Sequence, residues 1–253
     1  MTGELAARLR RLTPARVGLG RTGAGQTTAD VLAFAMAHAR ARDAVHDALD
    51  VDALAAQVEA LGHPVWRVQS AVADRQTYLL RPDLGRVLAV GATLESDAPV
   101  DLAIVLADGL CARAAQSHAV PLLAALVPRL ERIRLGAVTI ATQARVALGD
   151  EIARRLSARA VLVLIGERPG LSSPDSLGAY LTFDPRPGRI DAERNCVSNI
   201  RPEGLSYDEA AFKLAWLIGE AMRRQLTGVD LKDDSGMARL ASKPDLPAPD
   251  LLT

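Results

Sequence analysis

Two glycine-rich and histidine-bearing patterns near the start, and three isolated groups further on, are the residues here that could do chemistry. GLGRTG (Gly18–Gly23) matches G-x-G-x-x-G. That spacing lets backbone amides approach a dinucleotide pyrophosphate, provided a strand precedes the loop and a helix follows it. Only Arg16-Val17 stands before it, and the first strong strand pattern begins at Val100. GRTGAGQTT also lacks the lysine of a phosphate-cradling P-loop. The expectation is a loop that feeds a helix at a subunit contact. His38, Arg42 and His46 share one helical face, but a zinc pair needs histidines four residues apart. Eight residues of helix separate the two imidazoles by roughly 12 Å, so a solvated or interfacial face is expected and no metal ligand is assigned.

Asp108-Gly109 closes one apolar run and Glu167 closes another. Ligands of open α/β sheets sit beyond the carboxyl ends of the strands, so both acids lie in the zone where a ligand belongs. Helix capping is the competing use for either. Cys196, in the alternating stretch Cys196-Val197-Ser198-Asn199-Ile200, has no base beside it and reads as a structural thiol. The G-x-S-x-G elbow is absent, and no pair of carboxylates suits acid–base work. No catalytic residue is assigned.

The elements that would position these groups fall into two regions. Before about Asp97 the chain is alanine-rich and reads as helical. Thr28 or Asp30 caps a helix running to about Leu49. A second helix carries Leu54, Val58 and Leu61 and stops at Gly62. Pro82 opens a third toward Val90. From Val100 the pattern changes. VDLAIVLADG (Val100–Gly109), AVTIATQA (Ala137–Ala144) and AVLVLIGE (Ala160–Glu167) are apolar runs of buried parallel-strand type. GAYLTFDP (Gly178–Pro185) and RNCVSNI (Arg194–Ile200) are further strand candidates. Helical spacing separates the first three, at Ala119, Leu122, Leu126 and Leu130 and again over Asp150–Ala158. Ser206-Tyr207-Asp208-Glu209 matches a capping box that opens a long helix. The predicted class is α/β: a Rossmann-like, doubly wound, mostly parallel sheet preceded by an N-terminal helical subdomain. The expected organisation is 1–96, 97–235, and a mobile tail over 236–253 with three prolines.

Composition excludes several classes. Of 253 residues, 49% are hydrophobic, enough for a core. Lys+Arg and Asp+Glu balance at 30 each, which argues against a polyanion-binding surface. Aromatics at 3% argue against base-stacking platforms. Two cysteines cannot build a disulfide framework. No run approaches the roughly 18 apolar residues of a membrane span. A soluble, cytoplasmic protein with no nucleic-acid or membrane partner is expected.

Three ordered blocks then carry a resemblance. RLTPARVGLGRTGAGQTT…FAMAHARARDAV, VDLAIVLADGLCARAAQSHAVPLL and RNCVSNIRPEGLSYDEAAFKLAWLIGEAMRRQLTGVDLKDDS resemble the small chain of ethanolamine ammonia-lyase, over about Leu12 to Ser235. The resemblance implies a heteromeric carbon–nitrogen lyase that converts ethanolamine to acetaldehyde and ammonia by a radical route. It implies a large (heavy) subunit that holds ethanolamine and most catalytic groups. It implies base-on adenosylcobalamin (coenzyme B12) between the two chains, covered by this one, which is inactive alone. Carried over by local alignment, the cofactor-binding positions are Val146, Glu167 and Cys196. The base-off signature D-x-H-x-x-G is absent, in keeping with that implication. Cys111 departs from the family, standing where serine is common. The resemblance also raises encapsulation in a bacterial microcompartment, with Leu5, Leu9 and Leu12 on one face of a terminal amphipathic helix. Two alternatives stay open: a stand-alone Rossmann oxidoreductase using the Gly18 loop, and a scaffold subunit that binds no cofactor.

Overall fold

The computed structural model describes residues 3–13, 15–94 and 98–237. The expected boundary at 96/97 and most of the expected tail lie outside these residues. Helix α1 spans Gly3–Leu12. A two-residue hairpin, β1 (Arg21–Thr22) and β2 (Gly25–Gln26), follows. Helices α2 (Thr28–His46) and α3 (Val51–Ala60) come next, then β3 (Val65–Gln69) and α4 (Arg75–Leu80). The second region alternates β4 (Leu102–Ala107), α5 (Ala112–Leu126), β5 (Val138–Thr142), α6 (Leu148–Arg155) and β6 (Ala160–Gly166). It ends with β7 (Leu177–Phe183), β8 (Asn195–Ile200) and α7 (Tyr207–Arg224).

Six strands form one sheet in the order β3-β5-β4-β6-β7-β8. The three pairings among β3, β5, β4 and β6 are parallel, and the last two are antiparallel. The protein is therefore mixed α/β with a mostly parallel sheet. Two expectations need correction. The segment before Asp97 is not purely helical, because β3 is an edge strand of the main sheet. Pro82 opens no α-helix: α4 ends before it, and only a 3-10 turn at Leu84–Arg86 follows.

Alternation along the strands builds two cores. Leu102, Ile104, Leu106, Leu162 and Leu164 face α3, α5 and α7. Ala103, Val105, Ala107, Val161 and Val163 face α6. Burial on both faces explains why β4 and β6 read as unbroken apolar runs. Helix starts are set by side-chain caps. Thr27, Asp50, Asp74 and Ser206 each accept the amide three residues on. Ser206 is the expected capping serine, and its hydroxyl also bonds the Glu209 carboxylate at 3.0 Å. No helix among the described residues is long and apolar enough to cross a membrane.

Candidate functional site

The connection after β4 leads to α5 on one face of the sheet, and the connection after β5 leads to α6 on the other. A crevice must open where adjacent strands send their chains apart. A cavity of about 430 Å³ lies there, lined by Tyr78, Gly109, Leu110, Arg145, Val146, Ile165, Gly166, Glu167, Arg168 and Tyr180. Two of the three expected cofactor positions, Val146 and Glu167, line it together. Cys196 stands one strand away, paired across β7 and β8 with Tyr180 of the cavity wall.

Backbone geometry brings these residues together. At Gly109 φ is +59°, and a β-carbon there would sit 2.2 Å from the Gly166 carbonyl oxygen. One at Gly166 would sit 1.9 Å from the Cys111 carbonyl oxygen. Two glycines thus let the turn after β4 lie directly on the end of β6, where the Leu110 amide donates to the Gly166 carbonyl at 3.0 Å. Asp108, placed by sequence in the ligand zone, instead turns inward. Its carboxylate accepts the amides of Gln143 (2.7 Å), Gly109 (2.8 Å) and Ala144 (3.0 Å). Burial pushes this carboxyl up, against the pull of those amides and Arg75. It pins the loop after β5 to the end of β4.

Glu167 is held at one oxygen and open at the other. Its Oε2 accepts from the Ser176 hydroxyl at 2.7 Å and the Asn199 amide at 3.2 Å. Oε1 takes no donor among the described residues. The NCVSNIRP block thereby acts on the cavity twice, through Asn199 on Glu167 and through Cys196 beside Tyr180. Desolvation raises the Cys196 thiol, with the nearby Tyr180 hydroxyl pulling it down and the Glu167 charge raising it further. Burial also raises the Tyr180 phenol. Neither group is poised to ionise near neutrality.

Sequence reasoning missed Tyr78 and Arg145. Tyr78 is fully buried, donates to the Ala144 carbonyl at 3.0 Å, and is pushed up to about 12, chiefly by burial. The guanidinium carbons of Arg145 and Arg75 lie 4.0 and 4.5 Å from its ring centroid, within cation–π range. Arg145 also donates to the Tyr78 carbonyl at 3.0 Å, while its Nε is buried without a partner. The one available signal was its place beside Val146 in the loop after a strand. The Gly18 loop is far simpler than its spacing suggested. Its glycines shape the β1–β2 hairpin, outside the main sheet and with no strand feeding it from that sheet. His38 and His46 are exposed on α2, and no group of metal-binding side chains occurs among the described residues.

The sheet and the split connections define an open-sheet, mixed α/β protein with a cavity at its strand ends. The family model described as "Ethanolamine ammonia-lyase light chain (EutC)" matches residues 4–232. The chain belongs to that family. It is 57% identical over 235 residues to the ethanolamine ammonia-lyase small subunit of Bradyrhizobium diazoefficiens, covering 90% of each chain. Against the small subunit of Rhodopseudomonas palustris the identity is 54% over 248 residues, with 95% of each covered. The Azotobacter vinelandii small subunit gives 54% over 241 residues, covering 92% of this chain and 89% of the relative.

Proposed function

We propose that this chain is the cofactor-covering small subunit of an adenosylcobalamin-dependent ethanolamine ammonia-lyase, with substrate and catalytic groups on a large subunit. The observation that carries this reading is the convergence of Val146 and Glu167 on one cavity at the strand ends, with Cys196 next to its wall. The lining suits a large amphipathic ligand. Leu110, Val146 and Ile165 supply apolar contact. The Glu167 Oε1, which no donor among the described residues occupies, can accept from amide or hydroxyl groups, and Arg145 adds a positive charge to the lining. When bound, the cofactor supplies the radical chemistry through its cobalt–carbon bond. This chain orients it and shields one side from water, without a proton-transfer or radical step of its own. Within that reading 97–235 is the Rossmann-like covering domain.

Glu167→Ala in the assembled complex tests the reading. A hydrogen bond lost from a charged group contributes about 1.5–3 kcal/mol, so cobalamin affinity should fall roughly ten- to a hundredfold. Turnover at saturating cofactor should change much less. Unaltered affinity with abolished turnover would show that Glu167 does not bind cofactor but takes part in chemistry.

We place the large-subunit contact in the N-terminal region, 1–96. Along α2 only Ala44 is buried, while Val31, Leu32, Phe34 and Met36 are exposed, Leu32 by 64% and Met36 by 56%. Apolar side chains exposed on two sides of one helix call for a covering surface. Stable interfaces bury more than about 1,200 Å² in total. Amide hydrogen exchange over 28–92 should slow markedly when the large subunit is added. Equal exchange in the free and assembled chain would place the interface elsewhere.

A further inference from the structure

The segment before α2 is unevenly charged. Residues 3–26 hold Arg8, Arg10, Arg11, Arg16 and Arg21 against one acid, Glu4, in a chain whose charges balance overall. None of the five arginines forms an ion pair among the described residues. Arg10 is engaged internally: its guanidinium donates to the Val17 carbonyl at 3.2 Å and to the Gly18 carbonyl, which ties α1 to the hairpin. Arg16 is placed by two contacts. Its guanidinium carbon lies 5.7 Å from the ring centroid of Phe34 on α2, and it donates at 3.5 Å to the Leu171 carbonyl in the β6–β7 connection. Arg21 stands on β1, where both residues are exposed. Arg16 and Arg21 line one concavity of about 310 Å³ with Leu19 and Gln26. Asp30, the nearest acid along the chain, is taken up by the Thr27 hydroxyl at 2.7 Å. The hairpin, α2 and the β6–β7 connection thus build one patch, in which arginines stand beside exposed Leu19, Phe34 and Leu171. Arginine mixed with aromatic side chains is the composition of protein interfaces.

We infer that this patch docks an acidic surface of the large subunit, with Arg16 and Arg21 steering the approach. The inference rests on the reading that the N-terminal region meets the large subunit, and it adds the charge that partner must carry. The planar donor fork of arginine matches carboxylate oxygens. Exposed charges at the rim of an interface act on the rate of encounter and its salt dependence. The apolar side chains beside them act on how long the complex lasts. The glycine-rich loop that resembled a nucleotide fingerprint is then a mount for arginines at a subunit contact.

The test is the association rate of the full chain with the large subunit, followed between about 0.01 and 1 M salt, over which the screening length falls from about 30 to 3 Å. The parent rate should fall steeply as salt rises. Arg16→Gln combined with Arg21→Gln should associate roughly tenfold more slowly at low salt, the lower end of electrostatic steering. Its salt dependence should be flatter and its dissociation rate little changed. Arg16→Lys combined with Arg21→Lys keeps both charges and should associate like the parent. Because Arg16 also packs on Phe34, Arg21→Glu alone decides the matter if the double variants do not fold. Parent-like association of the glutamine pair at every salt concentration would overturn the inference. Equal slowing by the lysine and glutamine pairs would overturn it too, by showing that shape rather than charge is read. So would binding of the parent, but not of the glutamine pair, to mixed phosphatidylcholine–phosphatidylglycerol vesicles with subunit association unaltered, which would assign the patch to a lipid surface. If amide exchange over 28–92 slows on assembly while the arginine variants associate like the parent, the interface reading survives and only the steering falls. If exchange there does not slow and the arginine variants associate like the parent, both fall.

Discussion

Arg194→Ala should cost the chain about 3–5 kcal/mol of stability, the usual penalty for stranding one half of a buried ion pair. Arg194 and Asp150 have side chains 2% and 1% exposed. The guanidinium grips the carboxylate at 2.6 and 2.8 Å and also donates to the Thr182 hydroxyl and the Arg189 carbonyl. This cluster ties the start of α6 to the approach to β8. For a domain of this size the loss should lower the melting temperature by roughly 6–20 °C. Burial already pushes the Asp150 carboxyl up, with Arg194 pulling against it. Without Arg194 the folded state holds that proton more tightly than the unfolded chain does. Stability of the variant should therefore fall as pH rises. Its deficit is smallest below the ordinary aspartate value of about 3.9 and grows through the raised folded value toward neutrality. Replacing both partners, as Asp150→Leu with Arg194→Met, should recover much of the loss, since a paired apolar replacement leaves no orphan charge. Thermal unfolding of both variants and the parent from pH 5 to 8 measures this. A single variant as stable as the parent at pH 7 would refute it.

Gly166→Ala should be nearly as damaging, through shape rather than charge. The added carbon would lie 1.9 Å from one backbone oxygen and 2.6 Å from another, those of Cys111 and Asp108. Backbone atoms cannot swing aside as a side-chain tip can, so the turn after β4 must lift off β6. Overpacking of this kind costs about 3 kcal/mol. It would also displace the floor of the cavity, so under the proposed cofactor role cobalamin affinity should drop even where the protein stays folded. Gly219 in α7 supplies the contrast, because a β-carbon there meets nothing within 4 Å. Gly219→Ala should be neutral or stabilising by about 0.5–1 kcal/mol, through lower backbone entropy of the unfolded chain. Urea unfolding of both variants separates the cases. Equal stability of the two would show that the 109–111 turn tolerates movement.

Much of the second region was legible because burial on both faces leaves little ambiguity. LAIVLA and AVLVLIG admit no polar residue, and their observed limits differ from expectation by at most two residues. β3 was hidden because VWRVQ is a short edge strand with a single buried side chain, Val68, so its pattern is weak. The reversal of β7 had a readable sign that was not used. Only ten residues join β6 to β7, fewer than the dozen or so that a parallel crossover needs. At the site, Val146 and Glu167 were reached through resemblance, and the strand-end argument independently favoured Glu167. Tyr78 and Arg145 were out of reach, since their meeting joins segments 67 residues apart in the chain. Asp108 misled for a physical reason. A carboxylate at a strand end serves equally to bind a ligand or to gather loop amides, and only the direction of its oxygens distinguishes the two.

The edge position of β3 sets a schedule for biosynthesis. Its one neighbour in the sheet among the described residues is β5, with Val65 opposite Val138. When Val65–Gln69 leaves the ribosome, the segment it must pair with has not been made. At about 5–20 residues per second the wait is roughly 4–15 s. Until β4 and α5 emerge, late in that wait, the Trp66–Val68 segment and the apolar side chains of α3 have neither to rest on. Early-emerging helices must therefore hold near the exit tunnel as loosely ordered chain. The first lasting tertiary structure forms only once β4 and β5 are both free, which makes the middle of the message the part whose translation speed matters most to folding.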